Sequence, residues 1–282
     1  MVPRKHISHA DVTHTENVRR VELELIADEL KTTDHVLEIG GGSGYQAAAI
    51  SGYVENCVSI DVALHPEPRF PVLLYDGVTI PFGDSTFDVI FSSNVLEHVK
   101  NLDALLDECA RVLKSGGAMY HIVPSPLWRV WTSLTYYPAL PKVVLGNLRN
   151  LQSADASLNE PLTPGQRRPT PESTNSDGGR ATSRTALSVL KRFKLKSIRS
   201  ILLSPRHGER GNEFTEAFYF RAAWWRTLFE RNGWKVAEEQ PGRLYYSGNI
   251  LFGALIGMQS RRGLSRVLGS ATRKFKVVRP GD

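Results

Sequence analysis

Acidic side chains lie in or at the end of three successive strand-like segments, and the first of these segments runs into a cluster of glycines. Glu38 precedes the glycine-rich stretch 40–44, and Asp61 and Asp76 end the next two segments. Glycines allow a ligand to approach the backbone closely. Carboxylates at strand ends can accept hydrogen bonds from ribose hydroxyls or from an exocyclic amine. The pattern predicts one nucleoside-like ligand at the edge of a sheet.

The spacing of the glycines separates several kinds of nucleotide loop. The stretch Glu38-Ile-Gly40-Gly-Gly42-Ser-Gly44 has the spacing E-x-G-x-G-x-G. A dinucleotide-binding loop needs a glycine three residues after its second one, where this chain has Tyr45. A phosphate P-loop needs a following Gly-Lys-Ser/Thr, which is absent here. The spacing therefore excludes both loops and leaves another nucleoside site or a tight turn without a ligand.

Histidines supply the candidate proton acceptors. His98 follows Glu97 just past the fourth predicted strand, and His207 lies in a loop before the last ordered block. Either imidazole could take a proton from an acceptor hydroxyl. The structural alternatives are a residue that packs against the pocket for His98 and a turn residue for His207. His121 lies inside a predicted strand, which favours a place in the core.

Short apolar segments alternate with helical patterns through the first 123 residues, and these elements must position the acids and the glycines. Apolar spacing predicts helices near 16–30, 45–53 and 102–113. Strands are predicted at 35–39, 57–60, 72–75, 87–91 and 118–123, and later at 234–238 and 244–246. The alternation predicts an α/β protein with a parallel sheet wrapped by helices.

Composition changes along the chain predict four parts. Residues 1–123 form the ligand-binding core, and 124–212 form a cap on the side of the site where a second substrate, the acceptor, would bind. Within the cap, 152–185 is dense in Pro, Ser, Thr, Gly and Asn, which predicts a disordered linker. Residues 213–258 complete the sheet, and 259–282 form a basic tail.

The 282 residues have a net charge of +6, 41% hydrophobic residues and only two cysteines. This composition allows a sizeable core and excludes a disulfide framework. Residues 259–282 contain seven Lys or Arg against one acid, so the rest of the chain is neutral. A neutral body argues against a broad nucleic-acid-binding face, and we expect no DNA partner.

The longest apolar run, residues 250–258, is too short to span a bilayer. The polar first twenty residues do not resemble a secretory signal. We therefore expect a cytoplasmic protein. The basic tail after the apolar run predicts peripheral contact with an anionic membrane, and the alternative is a final strand and helix followed by a solvated tail.

The chain resembles the class I S-adenosylmethionine-dependent methyltransferases, of the type acting on small molecules and glycans. The resemblance covers residues 15–123 and a later helix-to-strand step at Trp225–Trp234. Five segments match family motifs in the family's order: Val36–Gly44, Ser59–Asp61, Asp76–Asp88, Ser92–His98 and Val112–Gly117. One departure is Val62–Pro71, whose three prolines indicate that the usual helix between strands two and three is short or absent.

The resemblance implies a Rossmann-like, doubly wound, seven-stranded sheet with an insertion between strand five and the last helix-strand unit. It also implies S-adenosylmethionine as the cofactor. Asp61 would hold the ribose, and Asp76 with the Gly77 amide would contact the adenine. The other implied cofactor contacts lie at the methionine end or at the strand-four exit: Glu38, Gly40, Gly42, Gly44 and Asn94.

The resemblance implies methyl transfer to a small-molecule, glycan or lipid-linked acceptor, most simply at oxygen, with His98 and His207 as candidate catalytic residues. Some relatives hold a metal at the strand-four exit with two acids and a histidine. Asn94 replaces the second acid here, so we expect no metal. Ser92-Ser-Asn-Val95 also lacks the Asn/Asp-Pro-Pro-aromatic motif of DNA amino-methyltransferases. The open alternatives are an RNA methyltransferase and a non-catalytic, cofactor-binding partner subunit.

Overall fold

The structure, a computed structural model, describes residues 13–141, 206–246 and 255–281. The chain divides into two compact units, one of residues 1–134 with 206–282 and one of residues 135–205. Most of the second unit, including the predicted linker 152–185, lies outside the described residues. The description below therefore concerns the first unit, together with residues 135–141, which continue a helix that begins in it.

A seven-stranded sheet with the order β3-β2-β1-β4-β5-β7-β6 forms the centre of the first unit. Its strands are β1 (His35–Ile39), β2 (Asn56–Asp61), β3 (Val72–Leu74), β4 (Phe87–Ser93), β5 (Leu113–Pro124), β6 (Lys235–Pro241) and β7 (Thr272–Val278). Strands β1 to β5 are parallel, and β7 lies antiparallel between β5 and β6. The predicted α/β, Rossmann-like, seven-stranded fold is confirmed.

Helices alternate with the strands. They are α1 (His14–Leu23), α2 (Tyr45–Ile50), α3 (Leu102–Val112), α4 (126–141), α5 (Glu216–Tyr219), α6 (Ala222–Arg231) and α7 (Met258–Leu268). Single 3-10 turns occur at Ala27–Glu29 and Leu96–His98. Residues 62–71 contain no helix, as their prolines predict.

Apolar side chains from the helices and strands fix the position of the sheet. Helix α3 buries one face of five residues at helical spacing: Leu102, Leu105, Leu106, Cys109 and Val112. Trp225 and Phe229 of α6 join the same cluster on that side of the sheet. A second cluster, which includes Ile26, Ile50 and Phe91, packs elsewhere against the strands. Burial on this scale holds the carboxyl ends of β1, β2 and β4 in fixed register.

The predicted basic tail is wrong, because residues 259–282 contribute α7 and β7 to the fold. The Lys274 side chain is only 1% exposed, and its Nζ donates to Glu29 Oε1 at 2.7 Å. Arg273 Nη1 donates to Glu239 Oε1 at the same distance. These basic residues pair with acids inside the folded unit. The sheet therefore ends at residue 278, beyond the predicted boundary at 258.

The pattern of β7 explains this correction. Phe275 and Val277 alternate with basic residues, and both apolar side chains are fully buried. The ladder to β5 pairs Phe275 with His121 and Val277 with Met119. The predicted strand at Leu244–Tyr246 does not form, since its hydrogen bonds go to isolated partners in and next to α7. Among the described residues, no helix has the length and apolar content to span a bilayer.

Candidate active site

The loop after β1 packs against the segment that follows β4, at the point where the strand order reverses. The N–H groups of Gly40 and Gly41 both donate to the Ile60 carbonyl, at 2.8 and 3.1 Å. Gly40 has φ +82°, and a Cβ there would lie 2.2 Å from Val95 Cγ2. Only glycine fits this position, so Gly40 is required by the close contact between the loop after β1 and the segment after β4.

Gly42 faces open space. Its φ is +50°, and a Cβ at this position would meet no atom within 4 Å. Its N–H donates to Asp61 Oδ2 at 2.7 Å. Gly44, by contrast, begins α2 with φ +70° and lies against the Phe70 backbone. The loop therefore presents bare backbone to the outside only in the neighbourhood of Gly42.

The two aspartates predicted from the sequence lie on adjacent strand ends. Asp61 pairs with Leu74 in the β2–β3 ladder, and Asp76 follows two residues later. Asp61 uses one oxygen for Gly42 N–H and the other for Ala63 N–H, at 2.7 and 3.1 Å. Asp76 Oδ1 accepts from two backbone N–H groups, and these bonds hold the pKa of this exposed carboxyl below its usual value.

Apolar surface is exposed beside these acids. The side chains of Val62 and Val78 are 60% and 61% exposed and lie on either side of Gly77. A Cβ on Gly77, whose φ is +77°, would touch Val62 Cγ1 at 3.0 Å. The three residues and the two carboxylates together form a surface with apolar faces and acceptor oxygens, which suits a flat heteroaromatic base and its sugar.

Glu38 lies beneath the glycine loop and is 2% exposed. Its Oε2 accepts from Ser59 Oγ at 2.6 Å. Burial raises the pKa of Glu38 to about 7, and the nearby Asp61 charge adds to the rise while the Ser59 hydrogen bond opposes it. Glu38 thus links β1 to β2 and carries a proton more readily than an ordinary glutamate.

A polar network joins α1 to the exit of β4. Asn94, at φ +53°, donates from Nδ2 to Glu22 Oε1 at 3.0 Å. The other oxygen of Glu22 accepts from Ser93 Oγ and from Arg19 Nη1, both at 2.8 Å. Glu22 is 1% exposed, so its charge is held by these three donors. The network places charges of both signs beside Asn94.

A cleft of about 100 Å³, partly open to solvent, lies next to this network. The lining combines apolar, aromatic and polar side chains from α1, α4 and several loops: Thr15, Val18, Arg19, Glu22, Asn94, Trp128, His207, Leu244, Tyr246, Ala271 and Thr272.

The two predicted catalytic histidines meet beside Glu97. His207 Nε2 lies 3.4 Å and His98 Nε2 lies 3.8 Å from Glu97 Oε1. The two imidazole rings are 4.7 Å apart, and Trp128 lies 4.2 Å from the His207 ring. Burial is the largest cause that lowers the pKa of His98, and Glu97 opposes it. The structure therefore brings His98 and His207 together beside Glu97, and His207 also lines the cleft.

Glu216 of α5 fixes the loop that carries His207. Its Oε1 accepts from the backbone N–H groups of His207 and Gly208, each at 2.7 Å. The carboxylate is fully buried, and Arg129 Nε lies 3.5 Å from its other oxygen. Gly208 lies so close to Glu97 that an added Cβ would sit 3.0 Å from the Glu97 carbonyl oxygen. Glu216 thus supports the loop that carries His207.

His121 is a core residue, as its place in a strand favours. Its ring is fully buried, stacks on Phe229 at 5.5 Å and has Nδ1 2.8 Å from Ser92 Oγ. Burial lowers the pKa of His121 to about 3, so the ring stays neutral.

The sequence missed Arg19, Glu22 and Glu216 as site residues. Arg19 and Glu22 lie on the polar side of a short amphipathic helix, where charged residues at this spacing usually face solvent. Glu216 carries no motif around it. Only tertiary contacts show that these side chains turn inward, so no local pattern could have separated them from surface charges.

The comparisons with known proteins agree with this geometry. Residues 37–121 match the family profile described as methyltransferase domain, and residues 7–66 match protein-L-isoaspartate(D-aspartate) O-methyltransferase. An "uncharacterized methyltransferase" of Mycolicibacterium vanbaalenii is 35% identical over 91 residues, which are 29% of this chain and 36% of the relative. A demethylmenaquinone methyltransferase of Corynebacterium efficiens is 30% identical over 96 residues, 32% of this chain and 42% of the relative. The chain thus matches less than half the length of these relatives.

A solved structure shares the fold. A chain of the complex between the Haloferax volcanii Trm112 methyltransferase activator and a methyltransferase superimposes with a TM-score of 0.50. It is 15% identical in sequence, and the match covers 95% of this chain and 92% of the other. Fold and family profile together define a methyltransferase domain. The matched segment, residues 37–121, and the order of the strands support a class I S-adenosylmethionine-dependent methyltransferase, a family whose cofactor is S-adenosylmethionine.

Proposed function

We propose that this chain moves a methyl group to an oxygen atom of a small-molecule or glycan-type acceptor. When bound, S-adenosylmethionine supplies an activated methyl group on a sulfonium. The observation that carries the proposal is the cleft, because it joins Asn94 at the cofactor edge to His207 beside a buried carboxylate. Such a cleft can hold an acceptor in line with the cofactor, and positioning of this kind lowers a barrier by up to about 7–11 kcal/mol.

The adenosine end of the cofactor fits the ends of β2 and β3. Each Asp61 oxygen accepts one backbone hydrogen bond, and a carboxylate has about four acceptor sites, so both oxygens retain capacity for ribose hydroxyls. The adenine would lie between Val62 and Val78, with Asp76 and the Gly77 N–H at its edge. The open space beside Gly42 allows the chain of the cofactor to pass close to the backbone.

The methionine end fits the network at α1. A methionine portion carries an ammonium and a carboxylate, and Glu22 and Arg19 offer the complementary charges beside Asn94. Glu38 lies below the loop and supports it from inside. These residues would hold the methionine end of the cofactor beside the cleft.

The acceptor side has the groups that an oxygen nucleophile needs. An acceptor hydroxyl must lose its proton, and the imidazole of His207 or His98, beside Glu97, can accept that proton. Trp128 and Tyr246 line the same cleft and offer ring faces for a sugar or an aromatic acceptor.

The contacts of residues 259–282 within the fold argue against an anionic partner at this basic segment. Lys274 and Lys276 both pair with Glu29, and Arg273 pairs with Glu239. Such pairing reduces the charge that these three residues can offer to RNA phosphates or anionic lipid headgroups. We therefore include neither RNA nor a membrane in the proposed function.

The test is an acceptor screen that measures S-adenosylhomocysteine released from S-adenosylmethionine. We expect release with hydroxylated small molecules or glycans, with methyl ethers as products, and no stimulation by RNA. His207→Asn should lower kcat by about 10²–10⁴-fold and leave the affinity for S-adenosylhomocysteine unchanged. Turnover that depends on RNA, or cofactor binding without turnover on any acceptor, would contradict the proposal.

A further inference from the structure

The carboxylate of Glu97 is buried without a hydrogen-bond donor. Its side chain is 1% exposed, and neither Oε1 nor Oε2 has a hydrogen-bond partner among the described residues. His207 Nε2 lies 3.4 Å and His98 Nε2 lies 3.8 Å from Oε1, and both distances are too long for a good hydrogen bond. A buried carboxylate in this condition is costly, and a bound cation would offset that cost.

The three side chains offer ligand atoms in a compact group. One carboxylate oxygen and two imidazole nitrogens all lie within 4.8 Å of one another. A tetrahedral ion with ligand distances of 2.0–2.1 Å places its ligands about 3.3 Å apart. The 3.4 Å separation of Glu97 Oε1 and His207 Nε2 already meets that value, and His98 Nε2, on a side chain 45% exposed, is 3.8 Å from the same oxygen.

We infer that Glu97, His98 and His207 bind a divalent transition-metal ion. Two imidazoles and one carboxylate suit Zn²⁺ and its neighbours, while Mg²⁺ prefers oxygen ligands. Three protein ligands leave at least one position open, which is the arrangement of a catalytic rather than a structural site. Since His207 lines the cleft, an ion held by these three residues would lie beside the proposed acceptor site.

The surrounding residues hold the ligands in place. Glu216 accepts from the backbone of His207 and Gly208, and so fixes the loop. Glu209 N–H donates to the Glu97 carbonyl at 2.8 Å, which ties this loop to the β4 exit. The sequence predicts no metal because Asn94 replaces an acid. It could not show that His207, from a distant segment, supplies the third ligand.

The inference rests on the proposed function in one respect. An ion at this site would replace the imidazoles as the group that activates the acceptor: it would bind an oxygen of the acceptor and lower the pKa of its hydroxyl, with the proton passing to solvent. Metal binding itself does not depend on methyl transfer, so the two proposals can fail separately.

The experiment is a metal titration of the full chain after removal of ions with a chelator. We expect one equivalent of Zn²⁺ by calorimetry, and visible absorption bands of a low-symmetry site when Co²⁺ replaces it. Glu97→Gln and His207→Asn should each weaken Zn²⁺ binding by about tenfold or more. His65→Asn, a histidine on the exposed 62–71 loop, is the matched control and should change nothing.

Circular dichroism of the metal-free variants shows whether they fold. If Glu97→Gln does not fold, the test is made with His207→Asn alone. No binding of Zn²⁺ or Co²⁺ by the folded wild type overturns the inference. Binding that survives in His207→Asn, or that is equally tight for Mg²⁺, overturns it as well. Zn²⁺ binding in a protein that does not bind S-adenosylhomocysteine would sink the proposed function and leave the metal site standing.

Discussion

The Asp61 carboxylate accepts a 2.7 Å hydrogen bond from the Gly42 backbone, and this bond ties the end of β2 to the glycine loop after β1. The same contact joins the carboxylate proposed for the ribose to the bare backbone proposed for the cofactor chain. Because Gly42 faces open space, the loop is held in shape without a side chain that would block a ligand. The site is thus pre-formed by contacts within the chain.

Asp61→Ala should weaken binding of S-adenosylhomocysteine by about 10–150-fold, or 1.5–3 kcal/mol, since hydrogen bonds to a charged group are lost. Calorimetric titration measures the affinity. Glu55→Ala, which removes an exposed acid just before β2, is the control and should leave it unchanged. Equal affinities for wild type and Asp61→Ala would remove the ribose assignment.

Gly40→Ala should abolish most cofactor binding. The new methyl group would lie 2.2 Å from Val95 Cγ2, at a φ of +82° that an L-residue rarely adopts, so the loop must shift. We expect at least a tenfold loss of affinity and a stability loss of about 1–3 kcal/mol. Gly83→Ala is the matched loop control, because its nearest atom would be 3.7 Å away. Similar binding by both variants would show that the glycine contact does not matter.

Stability should depend on pH through Glu38. Its pKa is raised from 4.5 to about 7 in the folded protein, so between these values the folded state binds a proton that the unfolded state does not. This contribution to the unfolding free energy is present below about pH 4.5 and is lost as the pH rises through about 7. Glu38→Gln removes this dependence.

Urea denaturation of the cofactor-free protein at several pH values measures this effect. We expect the unfolding free energy of Glu38→Gln, relative to that of the wild type, to rise by about 1–3 kcal/mol from pH 5 to pH 8. A stability difference that stays flat over this interval would show that Glu38 does not titrate there.

Gly263→Ala should stabilise the protein by about 0.5–1 kcal/mol. Gly263 lies in α7, is exposed, and has open space where a Cβ would stand, so alanine gains helix propensity without a clash. Thermal unfolding detects the change. A neutral or destabilising effect would mean that residues 258–268 are not a stable helix.

Local patterns placed the elements of the first 123 residues, although α1 ends at Leu23 rather than near residue 30 and β5 begins at Leu113 rather than at residue 118. The predicted strand His35–Ile39 has the same bounds as β1, because a short apolar run between polar residues has few alternatives. The acids at strand ends followed from the same logic, since parallel strands bring their carboxyl ends to one edge.

Long-range pairing escaped prediction. In β7 the many basic residues hid a strand whose alternate residues, Phe275 and Val277, are buried. The acids that pair with Lys274 lie far away in sequence, between α1 and β1 and in β6, so no local pattern predicts these pairs. Glu216 and Glu97 were ordinary acids by sequence and are buried in the fold. Burial of a charge depends on partners that only the tertiary structure brings together.

The most direct test of the account is a calorimetric titration of the wild-type protein with S-adenosylhomocysteine and S-adenosylmethionine. We expect one-to-one binding of both, with dissociation constants of about 1 μM to 1 mM and a rise in melting temperature. Neither heat nor thermal shift with either ligand would contradict the assignment of this sheet edge as a cofactor site.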